Sequence, residues 1–347
     1  MTYAKASGIA LSEAVEKVRN AASVLFDADP SIRSVGVGEV ESGFGFVAVR
    51  NARAPVPYSA KMGKAIPDKL DGIPVQFIIS QADPSSLARV PHSGPASPGV
   101  GSLIPEQQQQ RPLVCGLQIQ NYDNDVRTGE IAKGYIIIGT LGCFVKLSSS
   151  AIAILSNNHV VAGENGGVKG SDRILQPGAA TFTPSMNVAT LTDFVQLNPS
   201  PVGASIAAGT VVLNDVDAGV AAISVGTNYS QSYLSPRTAV PPAGVGVATT
   251  GDKVHKVGRT TGLTFGTITQ ISVVVGPIAY APGGCWFQNT FVIEGENGTT
   301  FSDHGDSGSA IVRADGLVVG LLYAGNGTQT YACPIDSVLS GLTCTLI

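Results

Sequence analysis

The feature that most restricts the fold is a long series of short β-like runs between about residue 112 and residue 347. Runs such as YIIIGTLGCFVKL, GTVVLNDV, TFVIEG and SAIVRADGLVVGLLYAG are rich in Val, Ile and Thr, and Gly, Asn, Asp and Pro separate them. Many short strands joined by tight turns indicate an all-β sandwich or barrel. Only PIDSVLSGL, near the C-terminus, is typical of a helix.

The first eighty residues have a different pattern. Apolar residues recur at helical spacing in LSEAVEKVRNAASVLF and predict an amphipathic helix over about 12–26, with Ser12 as its N-cap. Three strand-like runs follow: SVGVGEV, GFGFVAVR and GIPVQFIIS. We therefore expect a small α/β domain at 1–81, a linker rich in Pro, Ser, Gly and Gln at 82–111, and a β-rich domain at 112–347.

The composition argues against binding to nucleic acid, membranes and metals. The formal net charge is −4 and no basic run occurs, so neither nucleic acid nor an anionic membrane is an expected partner. No apolar stretch approaches the length of a membrane span, and the N-terminus lacks the pattern of a signal peptide. The five cysteines form no C-x-x-C motif and no zinc-finger spacing with the four histidines. We expect reduced thiols, a cytoplasmic location, no bound metal and no cofactor.

The segment FSDHGDSGSAIV holds a serine, Ser307, between glycines just before a β-like run. A serine hydroxyl is a poor nucleophile without a base in hydrogen-bond reach. Of the four histidines, His92 lies in the predicted linker, His304 is on the same turn as Ser307, and His255 is expected to be structural. His159, at the end of the run AIAILSNN, is the best candidate for the base.

A base also needs a group that orients it, and NDVDAGVAAI supplies two aspartates, Asp215 and Asp217. A carboxylate inside an apolar stretch is costly unless it is hydrogen-bonded, and an imidazole N–H is a suitable partner. The residues alone leave both aspartates open.

The segments SNNHVVAG, NDVDAGVAAI and HGDSGSAIV, in this order, resemble the His, Asp and Ser segments of chymotrypsin/trypsin-like serine peptidases. Subtilisins and α/β-hydrolases have other orders. The resemblance extends from the linker to the C-terminus. It implies a mainly β fold, a chymotrypsin-like double β-barrel, here preceded by the small α/β domain.

The resemblance also implies catalytic roles. Ser307 would be the nucleophile and His159 the general base, while Asp217 would orient His159. Asp217 is preferred to Asp215 because the small and branched residues after it match the family better. The backbone N–H groups of Gly305 and Ser307 would form the oxyanion hole.

Substrate contacts follow from the same resemblance. VGLLYAG resembles the strand that pairs with the substrate main chain, and Phe301 corresponds to the floor of the primary specificity pocket, where the trypsin subgroup has an aspartate. A non-basic residue is therefore expected before the cleaved bond. The implied substrate-binding residues are Phe301, Ser302, His304, Tyr323, Ala324 and Gly325.

Departures from the secreted members indicate the branch. The cysteines that would brace the histidine and serine loops are missing, and the domain in front leaves Asp306 without a freshly cut N-terminus to pair with. The α/β domain and HKVGRTTGLTFGTIT resemble an intracellular branch of bacteria and plants, the narrow-leaf type.

The expected function is a serine endopeptidase that cleaves specific intracellular proteins through an acyl-enzyme, with a protein or peptide substrate as partner. Two alternatives stay open: a protease-like scaffold that binds a peptide without cutting it, and a protease held latent by the N-terminal domain or the 82–111 segment. The sequence also leaves open whether the chain forms a homo-oligomer.

Overall fold

A computed structural model of the chain describes residues 10–41, 43–53, 68–86, 89–91, 104–235 and 238–347. Part of the predicted linker lies outside these ranges: residues 87–88 and 92–103, which include His92. The described helices are α1 (Leu11–Ala28), α2 (Tyr122–Arg127), α3 (Asn158–Val161) and α4 (Ile335–Gly341).

The fold is mainly β, as predicted. Its strands, in chain order, are β1 (Ile32–Val40), β2 (Gly43–Asn51), β3 (Lys69–Leu70), β4 (Ile73–Ser80), β5 (Arg89–Pro91), β6 (Gln118–Asn121), β7 (Tyr135–Ile137), β8 (Gly139–Thr140), β9 (Cys143–Leu147), β10 (Ile152–Ser156), β11 (Arg173–Leu175), β12 (Asn187–Phe194), β13 (Leu213–Asn214), β14 (Gly219–Ile223), β15 (Gly244–Val245), β16 (Lys253–Gly258), β17 (Gly262–Tyr280), β18 (Gly283–Gly295), β19 (Ala310–Arg313), β20 (Leu317–Gly325), β21 (Gln329–Pro334) and β22 (Cys344–Leu346).

Two large sheets account for most of these strands. An eight-stranded sheet has the order β22-β9-β10-β14-β12-β11-β6-β8. A twelve-stranded sheet has the order β13-β18-β21-β20-β19-β16-β17-β1-β2-β4-β3, with β15 attached to β20. Apart from the C-terminal strand β22, the eight-stranded sheet is built from the first half of the β-rich region, and the other sheet comes mainly from its second half and the N-terminal strands, an arrangement that fits a double β-barrel.

The N-terminal strands extend the second sheet. β1 pairs antiparallel with β17, with Ser34 opposite Val275 and Gly38 opposite Gln270. Helix α1 covers this part of the sheet, and its buried face packs against β1, β2 and Val274. The N-terminal region and the β-rich region, which the sequence predicts as separate domains, therefore share one hydrogen-bonded sheet.

The start of α1 differs from the prediction. The helix begins at Leu11, the N-cap position falls on Ala10, and no side chain caps it. Ser12 is therefore not the N-cap. Leu11 packs against the cluster beneath the helix, and this contact draws the first turn one residue earlier.

Candidate active site

His159 and Asp217 are brought together by the pairing of β10 with β14. Ser156, the last residue of β10, lies opposite Gly219, the first residue of β14. His159 follows Ser156 by three residues, in α3, and Asp217 precedes Gly219 by two. Both therefore emerge at the same end of the strand pair.

A short hydrogen bond joins the two side chains, with His159 Nδ1 at 2.5 Å from Asp217 Oδ2. The backbone N–H of His159 donates to Asp217 Oδ1 at 3.2 Å, and the Tyr280 hydroxyl donates to Oδ2 at 2.9 Å. The Asn157 amide donates to the Asp217 carbonyl at 2.6 Å. The carboxylate is fully buried, and these three donors to its oxygens compensate for its lost hydration.

Asp215 lies in a different environment. It is exposed, and its carboxylate accepts a hydrogen bond from Gln288 at 2.9 Å. Of the two aspartates that the sequence offered, only Asp217 contacts His159.

Ser307 lies on the turn before β19, in the twelve-stranded sheet, and this turn is bound to the other sheet through Thr140 of β8. The Thr140 N–H donates to the Ser307 carbonyl at 2.8 Å, and the Thr140 hydroxyl donates to the Gly305 carbonyl at 2.8 Å. A Cβ on Gly139 would lie 2.3 Å from a methyl group of Val160 and 3.0 Å from the Ser307 carbonyl oxygen. The helix that carries His159 and the turn that carries Ser307 therefore meet at β8.

Two glycines allow the Ser307 turn to take this shape. Gly305 has φ of 101° and Gly308 has φ of 91°, both in the left-handed region that favours glycine. A Cβ on Gly305 would lie 2.5 Å from Thr260 Oγ1, and one on Gly308 would lie 2.2 Å from Ser156 Oγ. Both close approaches require the absence of a side chain.

The backbone N–H groups of Gly305 and Ser307 have no hydrogen-bond partner within the part of the chain that the structure describes. The intervening N–H, that of Asp306, donates to the Asp303 carbonyl at 3.0 Å. Two free donors beside a serine hydroxyl form an arrangement that can stabilise a developing oxyanion.

The Ser307 hydroxyl is not hydrogen-bonded to the imidazole. Ser307 Oγ donates to the Ser86 carbonyl at 3.1 Å, and His159 Nε2 is buried without a partner among the described residues. Ser86 belongs to the segment predicted as a linker. Part of this segment therefore contacts the candidate nucleophile directly.

Asp306 is held by a buried lysine. Lys256 Nζ of β16 lies 3.3 Å from Asp306 Oδ2, and both side chains are fully buried. The carboxylate also accepts hydrogen bonds from the Thr260 N–H at 2.8 Å and the Thr261 hydroxyl at 2.7 Å. An ammonium group from within the chain thus neutralises Asp306, so no cut N-terminus is needed for this pairing.

A cavity of about 300 Å³ opens beside Ser307. Four of the predicted substrate-binding residues, Ser302, His304, Ala324 and Gly325, line it. The structure does not bring Phe301 or Tyr323 to it. Phe301 packs in an apolar cluster with Phe291 and Ile293, and Tyr323 is buried in the main core. The rest of the lining comes from Ala82, Asp83, Ser85, Ser86, Thr300, Asp303, Ser307, Leu322, Asn326 and Gly327.

Burial is the main cause of the pKa shifts of the ionisable groups near His159, Asp217 and the Ser307 turn. Burial raises the pKa of Tyr280 well above its ordinary value, so the phenol stays protonated and remains a donor to Asp217. Burial also raises the pKa of Glu164, whose carboxylate accepts a hydrogen bond from the Ala281 N–H. Burial lowers the pKa of Arg259, which packs against the Ser307 turn, to about 10, and its guanidinium donates to Gln118 at 2.7 Å.

All five cysteines are buried and unpaired. Within the described ranges, no group of three or more His, Cys, Asp or Glu side chains is placed to hold a metal ion. No helix among these residues is long and apolar enough to cross a membrane.

Sequence reasoning missed Lys256, Tyr280 and Thr140. It left open that the 82–111 segment covers the site, but it did not identify Ser86 as the contact. The second lysine of the strand-like run KVHKVG was a usable signal, since an ammonium that a strand buries needs an anion. Tyr280 and Thr140 gave no such signal in the sequence, because the residues that they bind, Asp217 and the Ser307 turn, are far away along the chain.

The family model described as the Nal1 C-terminal domain matches residues 244–331, about a quarter of the chain. No curated protein matches the sequence at a significant level.

The solved structures that resemble this one include several bacterial serine proteases. Thermobifida fusca protease A is 18% identical, with a TM-score of 0.42, over 60% of this chain and 91% of that one. Nocardiopsis protease is 16% identical, with a TM-score of 0.44, over 67% and 98%. A glutamic acid specific serine protease is also 16% identical, with a TM-score of 0.44, over 68% and 100%. Identities this low carry no conclusion about activity or substrate.

Proposed function

We propose that the protein is a serine endopeptidase that cleaves protein or peptide substrates through an acyl-enzyme. The observation that carries the proposal is the buried pair of His159 and Asp217 beside the turn that bears Ser307. A buried carboxylate holding Nδ1 of an imidazole leaves Nε2 free to accept a proton, which is the requirement for a general base next to a serine.

The reaction follows from these positions. Ser307 Oγ attacks the substrate carbonyl carbon as its proton passes to His159 Nε2, and Asp217 stabilises the imidazolium. The N–H groups of Gly305 and Ser307 stabilise the oxyanion. His159 then gives the proton to the leaving amine, and water hydrolyses the acyl-enzyme by the same steps.

The cavity beside Ser307 would select the substrate by the side chain that it accepts. Ser302 Oγ lies 2.6 Å from Thr330 Oγ1, so hydroxyl groups form part of its wall. We propose that a small, non-basic side chain occupies it before the cleaved bond. Gly325, at the end of β20, offers the backbone groups for pairing with an extended substrate.

The cellular setting and branch are part of the same proposal. Five buried, unpaired thiols support a reducing, cytoplasmic location. The match of residues 244–331 to the Nal1 C-terminal model supports the narrow-leaf-type branch.

A second candidate is a protease-like scaffold that binds an extended peptide without cutting it. The hydrogen bond of Ser307 to Ser86 instead of His159 favours it, because no proton path from nucleophile to base is formed in this arrangement.

A fluorophosphonate probe separates the two candidates. An enzyme with an activated Ser307 becomes covalently labelled at that residue, and Ser307→Ala reduces the label to background. Ser340→Ala, at an exposed serine of α4, is the matched control and should label as the wild type does. A folded chain that stays unlabelled even when Ser85→Pro removes the backbone N–H that binds Gly325 would support the scaffold and contradict the enzyme.

A further inference from the structure

We propose that residues 82–86 are an intramolecular occupant of the substrate cleft that holds the protein latent until the segment leaves. This inference rests on the proposed function, since latency has meaning only for an enzyme. It identifies which residues block the site, what holds them there and which bonds must break for a substrate to enter.

The segment binds the cleft through one isolated β-bridge. The Ser85 N–H donates to the Gly325 carbonyl at 2.9 Å, and the Gly325 N–H donates to the Ser85 carbonyl at 3.0 Å. The pairing is antiparallel. An extended substrate that pairs with this edge of β20 needs the same two backbone groups, so the segment and the substrate compete for them.

The next residue reaches the nucleophile. Ser86 is buried, and its carbonyl accepts the hydrogen bond from Ser307 Oγ at 3.1 Å. While this bond exists, the hydroxyl proton points to Ser86 and not to His159 Nε2, which has no partner among the described residues. The segment thus occupies the backbone groups of Gly325 and also takes up the hydroxyl proton that His159 would have to accept.

The N-terminal region fastens the segment from the other side. Asp83 Oδ1 accepts hydrogen bonds from Arg33 at 2.5 Å and from Asn51 at 2.6 Å. Arg33 lies in β1 and Asn51 in β2, so the α/β region holds the segment against the cleft. Release of the segment therefore requires either loss of these contacts or a partner that displaces Asp83.

Two substitutions at one position test the inference. Ser85→Pro removes the N–H that donates to Gly325 and places a ring where that carbonyl lies, whereas Ser85→Ala keeps the backbone donor. Ser85 is exposed and makes no side-chain hydrogen bond among the described residues, so the alanine variant is a matched control.

The first readout is the rate of fluorophosphonate labelling at Ser307. We expect Ser85→Pro to label about tenfold faster than the wild type, the factor that one backbone hydrogen bond contributes to an equilibrium. Ser85→Ala should label at the wild-type rate. Equal rates for Ser85→Pro and Ser85→Ala would overturn the inference.

The second readout does not depend on catalysis. Hydrogen exchange at the Gly325 amide should accelerate in Ser85→Pro and stay slow in Ser85→Ala, because this amide is protected by the Ser85 carbonyl. Fast exchange in all three proteins would show that the segment does not occupy the cleft. If no protein is labelled but the exchange rates differ, the occupancy holds and the proposed enzymatic function fails.

The chain should also remain intact. A purified wild-type protein that cuts itself after Ser86 would contradict the inference, because the segment would then be a substrate and not a stable occupant. Mass measurement of the chain after prolonged incubation shows whether the segment is a stable occupant, with the chain intact, or a substrate, with the chain cut after Ser86.

Discussion

At the scale of single residues, the orientation of His159 depends on which aspartate contacts it. Asp215 and Asp217 are two positions apart, so on a regular strand they would share a face, and pattern alone could not separate them. The chain leaves regular strand structure between Asn214 and Gly219, which buries Asp217 under Tyr280 and leaves Asp215 at the surface.

Asp217→Asn is expected to lower the rate of peptide cleavage by about 10³- to 10⁴-fold, because the amide no longer holds His159 in the tautomer that frees Nε2. The melting temperature, measured alongside, reports whether the fold persists. Asp215→Asn is the matched control and should leave the rate unchanged. A large loss in Asp215→Asn together with an active Asp217→Asn would reverse the assignment.

His159 and Ser307 were candidates in the sequence because His159 follows an apolar run, Ser307 precedes one, and each stands among polar residues. The residues that line the cavity were harder to predict from the sequence. Phe301 and Tyr323 are close in sequence to residues that line the cavity, yet their side chains pack into the interior. Strand neighbours point to opposite faces, so a shift of one position in an inferred correspondence exchanges a cavity wall for the core.

At the scale of elements, β16 links the interior of the second sheet to the Ser307 turn. Its Lys256 is fully buried and pairs with Asp306, which lies between Gly305 and Ser307, the two residues whose N–H groups have no partner among the described residues. An unusual lysine was visible in the sequence, but its anion is fifty residues away. Such a pairing depends on the register of β16 against β19, which no local pattern specifies.

Lys256→Met is expected to lower the free energy of unfolding by about 3–5 kcal/mol, since it leaves the buried Asp306 carboxylate without its counter-charge. Urea denaturation measures the effect. Lys253→Met, on the same strand but exposed, should change the stability by less than about 1 kcal/mol. Comparable stabilities for the two variants would show that the buried pair does not hold the turn.

At the scale of the whole molecule, the sequence predicted three consecutive parts, and the structure connects them. The division into helix and strands was readable from periodicity, and the mainly β fold follows from the many short runs. The pairing of β1 with β17 and of Ser85 with Gly325 was not readable, because both join residues more than 200 positions apart and are decided by which sheet edges remain free.

This connection gives the α/β region a structural role. It extends the second sheet through β1 and fastens Asp83 at the cleft through Arg33 and Asn51. The same region that stabilises the sheet therefore also positions the segment over Ser307.

The most direct test of the central claim is the appearance of new N-termini in an unfolded protein substrate, measured for the Ser85→Pro chain with and without Ser307→Ala. The account predicts that the chain with Ser307 generates new N-termini and that Ser307→Ala reduces the rate by about 10⁶-fold, to background, without changing the melting temperature. Cleavage at an undiminished rate in the Ser307→Ala chain would contradict it.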